Sequence, residues 1–366
     1  MRKILIAIVF VYFSITLYAQ NEIVIGKKDT LFSKVLNEKR EIWVSVPSDY
    51  RDNLKNQKFP VVFVLDGPDN FFSVVGMVDR FSNNIGNEVC PPMIVVGLVN
   101  TDRNRDFYPE KNNDLFEKFL KDELLSYVDR NYPTQPYRIF IGHSLAGLRV
   151  VKTAIFDKDL FNGIIAIEPS LGDKKNKWYD ETRGEIEKFS LGTKRMYVAM
   201  GQTMHYNQIQ DTALIKKDTT SDSNHMRRIM EFSEKMISKN TFNNPDFQWK
   251  FYPEETHQSL VQISIYDGLK FIFNWYKPVF WNEFFYAGTT SERAIELYDN
   301  YFKTLSVNLG YVVKSPFDDS MLIWYLDYKM QYDKALALAK YNIAVHPDSE
   351  KPKEWIDKLE KKVNKK

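Results

Sequence analysis

The chain has 366 residues, with 50 Lys+Arg against 48 Asp+Glu, a formal balance of +2. Hydrophobic residues make up 44% and aromatics 15%, enough apolar surface to offset ordering entropy, which excludes intrinsic disorder. The near-zero charge balance removes the electrostatic case for nucleic acid. The single cysteine, Cys90, can form neither an internal disulfide nor a thiolate metal site, so stability must come from packing. At about 150 residues per domain, the length suits two domains, or one large domain with an appendage.

Arg2 and Lys3 precede an apolar run from Ile4 to Tyr18, broken by Ser14 and Thr16 and ending before Asn21-Glu22. This pattern predicts a secretory signal peptide over 1–20 and an exported, periplasmic or secreted protein, with a retained N-terminal anchor as the rival reading. Removing those residues leaves 366 − 20 = 346 and a balance of 48 − 48 = 0, because Arg2 and Lys3 are the only charges in the segment.

From Glu22 to about Lys277, strand-like and helix-like patches alternate. Glu41 to Val46 alternates with period two, as an outer antiparallel strand does. Continuous apolar runs at Pro60–Leu65, Pro92–Leu98, Tyr137–Ile141, Gly163–Ile167 and Arg195–Met200 read as central strands buried on both faces. Amphipathic segments lie between them, Asp114 to Asn131 being the clearest, with Leu115, Phe119, Leu124, Leu125 and Val128 as its apolar positions. The expected class is α/β, a mostly parallel sheet with helices on both faces over 21–277. Beyond Trp275 the strand runs stop, and 278–366 is expected to be a small all-α extension. Gln331 to Ser349 resembles the second helix of a tetratricopeptide pair, with Ala335 and Ala339 four apart and Pro347 as the stop. Only one such unit is visible, so a helical cap on the main domain and a partner-binding surface both stand.

The sharpest local feature is Ile141-Gly-His-Ser-Leu-Ala-Gly147, between a strand and a helical run from Leu148 to Phe156. This is the strand–turn–helix setting of a nucleophile elbow centred on Ser144, with Gly142 two before the serine and Ala146 two after. A serine nucleophile needs a base. Of the five histidines, His143 is inside the elbow, His225 opens a polar helix, His346 is in the tail and His205 precedes the expected acid. His257 remains, in the loop after the strand Gln248–Tyr252, where the order Ser…acid…His of the α/β-hydrolase fold places the base.

The sequence resembles the esterase family that groups enterochelin esterase, esterase D and feruloyl esterases, over most of Glu22 to Trp275. The resemblance rests on Leu65-Asp-Gly67, Asn100 to Pro109, the elbow, and Tyr252-Pro…His257…Tyr266 to Phe271. A subgroup with a helical C-terminal extension is most alike. It implies a serine carboxylic ester hydrolase with Ser144 as nucleophile and His257 as base. Similar proteins place an acidic residue just after the position of Met204, where this chain has His205. The next carboxylates are Asp211, Asp218 and Asp222; Asp211 is the choice, although each can also cap a helix.

The oxyanion of an acyl-transfer intermediate needs backbone donors. Leu145, after the nucleophile, supplies one, and the loop Asp66 to Asn70 supplies the other. Pro68 has no N–H, which leaves Gly67 or Asp69, and Gly67 permits close approach. The candidate substrate-binding residues are Arg105, Asp66 and His143. Arg105 either grips an anionic substrate or braces its loop through Asp106. The aromatics Phe71, Phe72, Phe107 and Tyr108 would suit an aryl group if they line the site, and otherwise belong to the core. No cofactor is expected, and no H-E-x-x-H or comparable ligand spacing points to a metal. Siderophore, feruloyl, acetyl or other acyl esters are the candidate substrates. An acyltransferase on the same fold, or a catalytically weak scaffold using the helical tail for a protein partner, are the alternatives.

Overall fold

The apolar runs form the interior of one eight-stranded sheet in a computed structural model of the chain. The structure describes residues 23–47, 57–83, 88–108, 114–172, 177–203, 211–221, 223–239 and 246–365. The expected leader over 1–20, as well as His205 and Asp222, lie outside the described residues. The strands are β1 (Lys27–Ser33), β2 (Glu38–Ser45), β3 (Phe59–Val64), β4 (Ile94–Leu98), β5 (Thr134–His143), β6 (Gly163–Ile167), β7 (Arg195–Gly201) and β8 (Phe247–Tyr252). Their order across the sheet is β1-β2-β4-β3-β5-β6-β7-β8. The β1–β2 and β2–β4 pairs are antiparallel and every other pair is parallel. With helices on both faces, this is the α/β-hydrolase fold.

In the first half of the chain the helices are α1 (Gly67–Ser82), α2 (Arg103–Phe107), α3 (Leu115–Lys118), α4 (Leu125–Asn131) and α5 (Leu145–Phe156). Then come α6 (Trp178–Glu181), α7 (Arg183–Lys188), α8 (Thr212–Lys217), α9 (Asn224–Ile237) and α10 (Leu260–Ile272). The expected single helix from Asp114 to Asn131 is instead α3 and α4 joined by a π-helical stretch, Phe119–Leu124. Strand β3 shows how an all-apolar run serves two layers. Val61, Phe63 and Leu65 enter one core with α3 to α5 and α9, while Val62 and Val64 enter the other with α1 and α10. Pro60 sits inside this central strand without an N–H to donate, and the register against β5 slips between Phe59 and Val61.

The chain ends in five helices: α11 (Trp281–Phe285), α12 (Ser291–Leu309), α13 (Ser320–Tyr328), α14 (Tyr332–Val345) and α15 (Lys351–Val363). They share a third core in which Ala335 and Ala339 of α14 are fully buried with Phe284, Ile323, Leu326 and Leu359. Helix α12 belongs to two cores, because its last turns carry Leu305 and Leu309 into the layer beneath α10. Tyr301 donates to the Tyr276 carbonyl at 2.8 Å along the same seam. Cys90 is fully buried, and burial pushes its thiol pKa well up.

Candidate active site

Ser144 stands between the end of β5 and the first residue of α5 at φ 60°, ψ −118°, outside the conformations an L-residue ordinarily adopts. The surroundings hold it there. Its N–H donates to the Ile167 carbonyl at 2.9 Å, and its own carbonyl accepts from Leu148 and Ser170, each at 3.0 Å. A Cβ on Gly142 would lie 2.4 Å from the Ala146 oxygen, and one on Gly147 would lie 2.9 Å from the Ile167 oxygen. Glycine is therefore required two before and three after the serine, while the position two after has room for Ala146. The Ser144 hydroxyl lies 3.4 Å from that of Ser170.

Ser144 and His257 line one cleft of about 520 Å³ at the carboxyl edge of the sheet. His257 is carried by the turn between β8 and α10. That turn is fixed by Thr256 N–H donating to Ser259 Oγ at 2.9 Å and Gln202 N–H donating to the Glu255 carbonyl at 2.7 Å. The Nδ1 edge of His257 faces Glu168 Oε2 at 3.5 Å. The opposite nitrogen, Nε2, is thereby left for the cleft.

Glu168 is the residue that the sequence did not reveal. It follows the last residue of β6, is fully buried, and takes φ 40°. Its N–H donates to the Ala199 carbonyl at 2.8 Å, and its Oε2 accepts the N–H of Gly201 at 3.2 Å. Burial works to raise its pKa. The hydrogen bond with His257, the charges of His225 and His257 and the Gly201 N–H outweigh that and hold it below the ordinary carboxylate value. Asp211, the expected acid, is exposed and caps α8, its carboxylate accepting from Ala213 N–H at 2.8 Å. Asp218 likewise turns back on its own chain, to Thr220 N–H at 2.7 Å. The order Ser…acid…His is kept, with the facing carboxylate one strand earlier than expected. The available signal was Glu168 itself, a lone charge ending the apolar strand next to the nucleophile's strand.

Leu145 and Gly67 each occupy the first position of a helix, where the N–H has no intrahelical acceptor. Asp69 N–H is engaged by the Asp66 carbonyl at 3.0 Å, which singles out Gly67 of the two loop donors. A Cβ at Gly67 would come within 2.8 Å of the Gly97 carbonyl carbon, so only glycine lets α1 start this close to β4.

Asp66 lines the cleft at φ 52° and is held by Arg103 through Nε–Oδ1 at 2.9 Å and Nη2–Oδ2 at 3.0 Å, with Asn100 donating to Oδ1 as well. Arg105 is the bracing residue of its two readings. It binds both Glu38 oxygens at 2.7 and 3.0 Å and Asp106 Oδ1 at 2.6 Å, and Arg103 takes the place at the cleft. The Arg105 guanidinium, foremost, brings the Glu38 pKa down to about 2. His143 also lines the cleft, its ring centroid 4.5 Å from that of His257. Burial first, then the charge of His257, lowers its pKa to about 4. Phe71 and Phe107 are core residues, Phe72 packs on Trp43, and no Phe, Tyr or Trp side chain is among the described residues that line the cleft.

A family model described as "Putative esterase" matches residues 33–258. No curated protein matches the sequence. Among solved structures, an IroE-like serine hydrolase from Shewanella oneidensis is similar with a TM-score of 0.66 at 22% identity, covering 87% of this chain and 98% of that one. An uncharacterised protein from Capnocytophaga ochracea has a TM-score of 0.63 at 19% identity, covering 92% and 89%. The siderophore hydrolase EstA from Aspergillus nidulans reaches 0.55 at 14% identity, covering 70% and 96%. At these identities the likeness is one of fold.

Proposed function

The chain belongs to the putative esterase family and is a carboxylic ester hydrolase, and from that premise we propose that it works through an acyl-enzyme on Ser144. The observation that carries the reading is the strained serine sharing a cleft with a histidine whose far edge faces a buried, ionised carboxylate. His257 Nε2 takes the Ser144 proton as the oxygen attacks the ester carbonyl. Glu168 keeps the Nδ1 proton in place and stabilises the imidazolium that forms. The N–H groups of Leu145 and Gly67 receive the oxyanion. His257 then protonates the leaving alcohol, and water releases the acyl group by the same steps in reverse.

The cleft lining bears on the substrate. Asp66, Asp69, Asn70, Asn100, Arg103, Gln258 and Gln262 outnumber Pro68, Val99 and Val261. Such a wall suits a hydroxyl- or amide-rich ester better than a long aliphatic chain or a bare aryl ring. Of the candidate substrates, this favours a polar siderophore-type or glycan-linked ester. The N-terminal apolar run supports export as the setting in which it would be met. The scaffold reading arose from the missing acid, and Glu168 removes its motive.

The test combines a fluorophosphonate probe with hydrolysis of a short-chain nitrophenyl ester. Wild type is expected to label and turn over, and Ser144→Ala to do neither. Glu168→Gln should lower kcat on the order of 10⁴-fold, whereas Asp211→Asn should keep nearly the full rate. Labelling that persists in Ser144→Ala, or a Glu168→Gln enzyme at full rate, would overturn the assignment.

A further inference from the structure

We propose that Glu168, His225 and His257 form a divalent-cation site, suited to Zn²⁺, at which metal binding and ester hydrolysis compete for His257. The inhibitory consequence rests on the mechanism above; the cation site does not.

Glu168 Oε1 is buried and accepts no hydrogen bond among the described residues, whereas buried carboxylate oxygens are ordinarily paired. It faces His225 Nε2 at 3.7 Å, while the other oxygen of the carboxylate faces His257 Nδ1 at 3.5 Å. One ligand atom from each of the three residues lies within 4.8 Å of the other two. Zinc bonds of about 2.0–2.1 Å at tetrahedral angles put ligand atoms about 3.3 Å apart, so side-chain movements that draw the atoms together by up to about 1.5 Å convert this set into a coordination triangle. Two imidazoles and one carboxylate are a donor set zinc takes readily, with the fourth position left for water. The side chains of His257 and His225 are 34% and 23% exposed, while the facing atoms His225 Nε2 and Glu168 Oε1 are themselves buried.

The chemistry of a bound ion then follows from the two nitrogens of one ring. A neutral imidazole that ligates through Nδ1 carries its remaining proton on Nε2. In that tautomer Nε2 is a donor and cannot take the proton of Ser144. The ion need not enter the ester cleft to stop the reaction.

The experiment uses full-length, tag-free protein at pH 7.5 in a non-chelating buffer. Zn²⁺ binding is followed by titration calorimetry, and Co²⁺ binding by its visible absorption, both on Ser144→Ala so that turnover plays no part. One ion per chain with a tetrahedral Co²⁺ spectrum is expected. His225→Ala should weaken binding about 100-fold, at least as much as the loss of an outer-shell partner, and His346→Ala should change nothing. His225→Gln makes the same comparison if the alanine variant does not fold. Wild-type hydrolysis should fall with added Zn²⁺ at the concentration that saturates binding, and EDTA should restore it. Absence of 1:1 binding, or a His225 variant that binds as tightly as its parent, overturns the site. Binding through these residues in a protein that never hydrolyses an ester would sink the mechanism and leave the cation site standing. Ser144-dependent hydrolysis indifferent to Zn²⁺ at concentrations that saturate binding would keep the mechanism and overturn the competition for His257.

Discussion

Among the described residues, Asp66, Ser144 and Glu168 are three of the five non-glycine residues with positive φ; Asp66 lies two residues past the end of β3, and Ser144 and Glu168 directly follow the last residues of β5 and β6. Each such conformation costs on the order of 1–3 kcal/mol and persists only where its surroundings over-determine it. Here the strain is gathered around one cleft. His143 beside it ties stability to pH. Its pKa, lowered to about 4 when folded, returns to about 6.5 on unfolding, so between those values the unfolded chain binds the extra proton. Its stabilising contribution is complete above pH 6.5 and is lost as pH falls to about 4, amounting to about 3 kcal/mol. Urea unfolding at pH 7 and pH 4 should show a drop of that order which His143→Gln removes, and an unchanged drop in the variant would assign it to another group. Ser144 and His257 were readable because each occupies a position defined by neighbouring elements. Glu168 was not, since a carboxylate at a strand end reads as a turn residue until the fold sets β6 beside β5. His225 was read as a helix start, which it is; its approach to Glu168 exists only in three dimensions.

Helix α5 carries the elbow, and a buried ionic cluster fixes it to the segment before it in the chain. Arg149 and Lys152 both reach Asp114 Oδ2, at 2.6 and 2.9 Å, and Glu117 Oε2, at 3.3 and 3.1 Å. Arg149 is fully buried and Lys152 nearly so. Removing one partner of such a cluster strands charge in the interior. Asp114→Ala should therefore cost about 3–5 kcal/mol, read as a lowered midpoint in denaturant; a loss under 1 kcal/mol would mean the cations find water. The central strands were legible because apolar runs of this kind fit only a sheet covered on both faces. Strand β1 was not, because Lys27 to Ser33 is mostly exposed and polar, and its only instruction to form a strand is the partner β2. The π-helical stretch was equally hidden, since its apolar spacing differs from that of an α-helix by a single residue per turn.

Over the whole molecule, the change of character after Trp275 was visible in the sequence, but not the use of α12 in two cores. A chain ending at Lys277 would lose Leu305 and Leu309 and uncover Phe273 and Tyr276. Such a truncation is expected to aggregate on expression, judged by size exclusion, and a monodisperse, active product would show that the helices are dispensable. Cys90 lies in the same layer of the core that this truncation would open. As the only thiol in the chain, sealed from solvent and reluctant to ionise, it makes the molecule its own clock for opening. Modification by an aromatic disulfide reagent proceeds through states that expose this layer, so its rate measures how often the hydrolase core and its helical cover come apart.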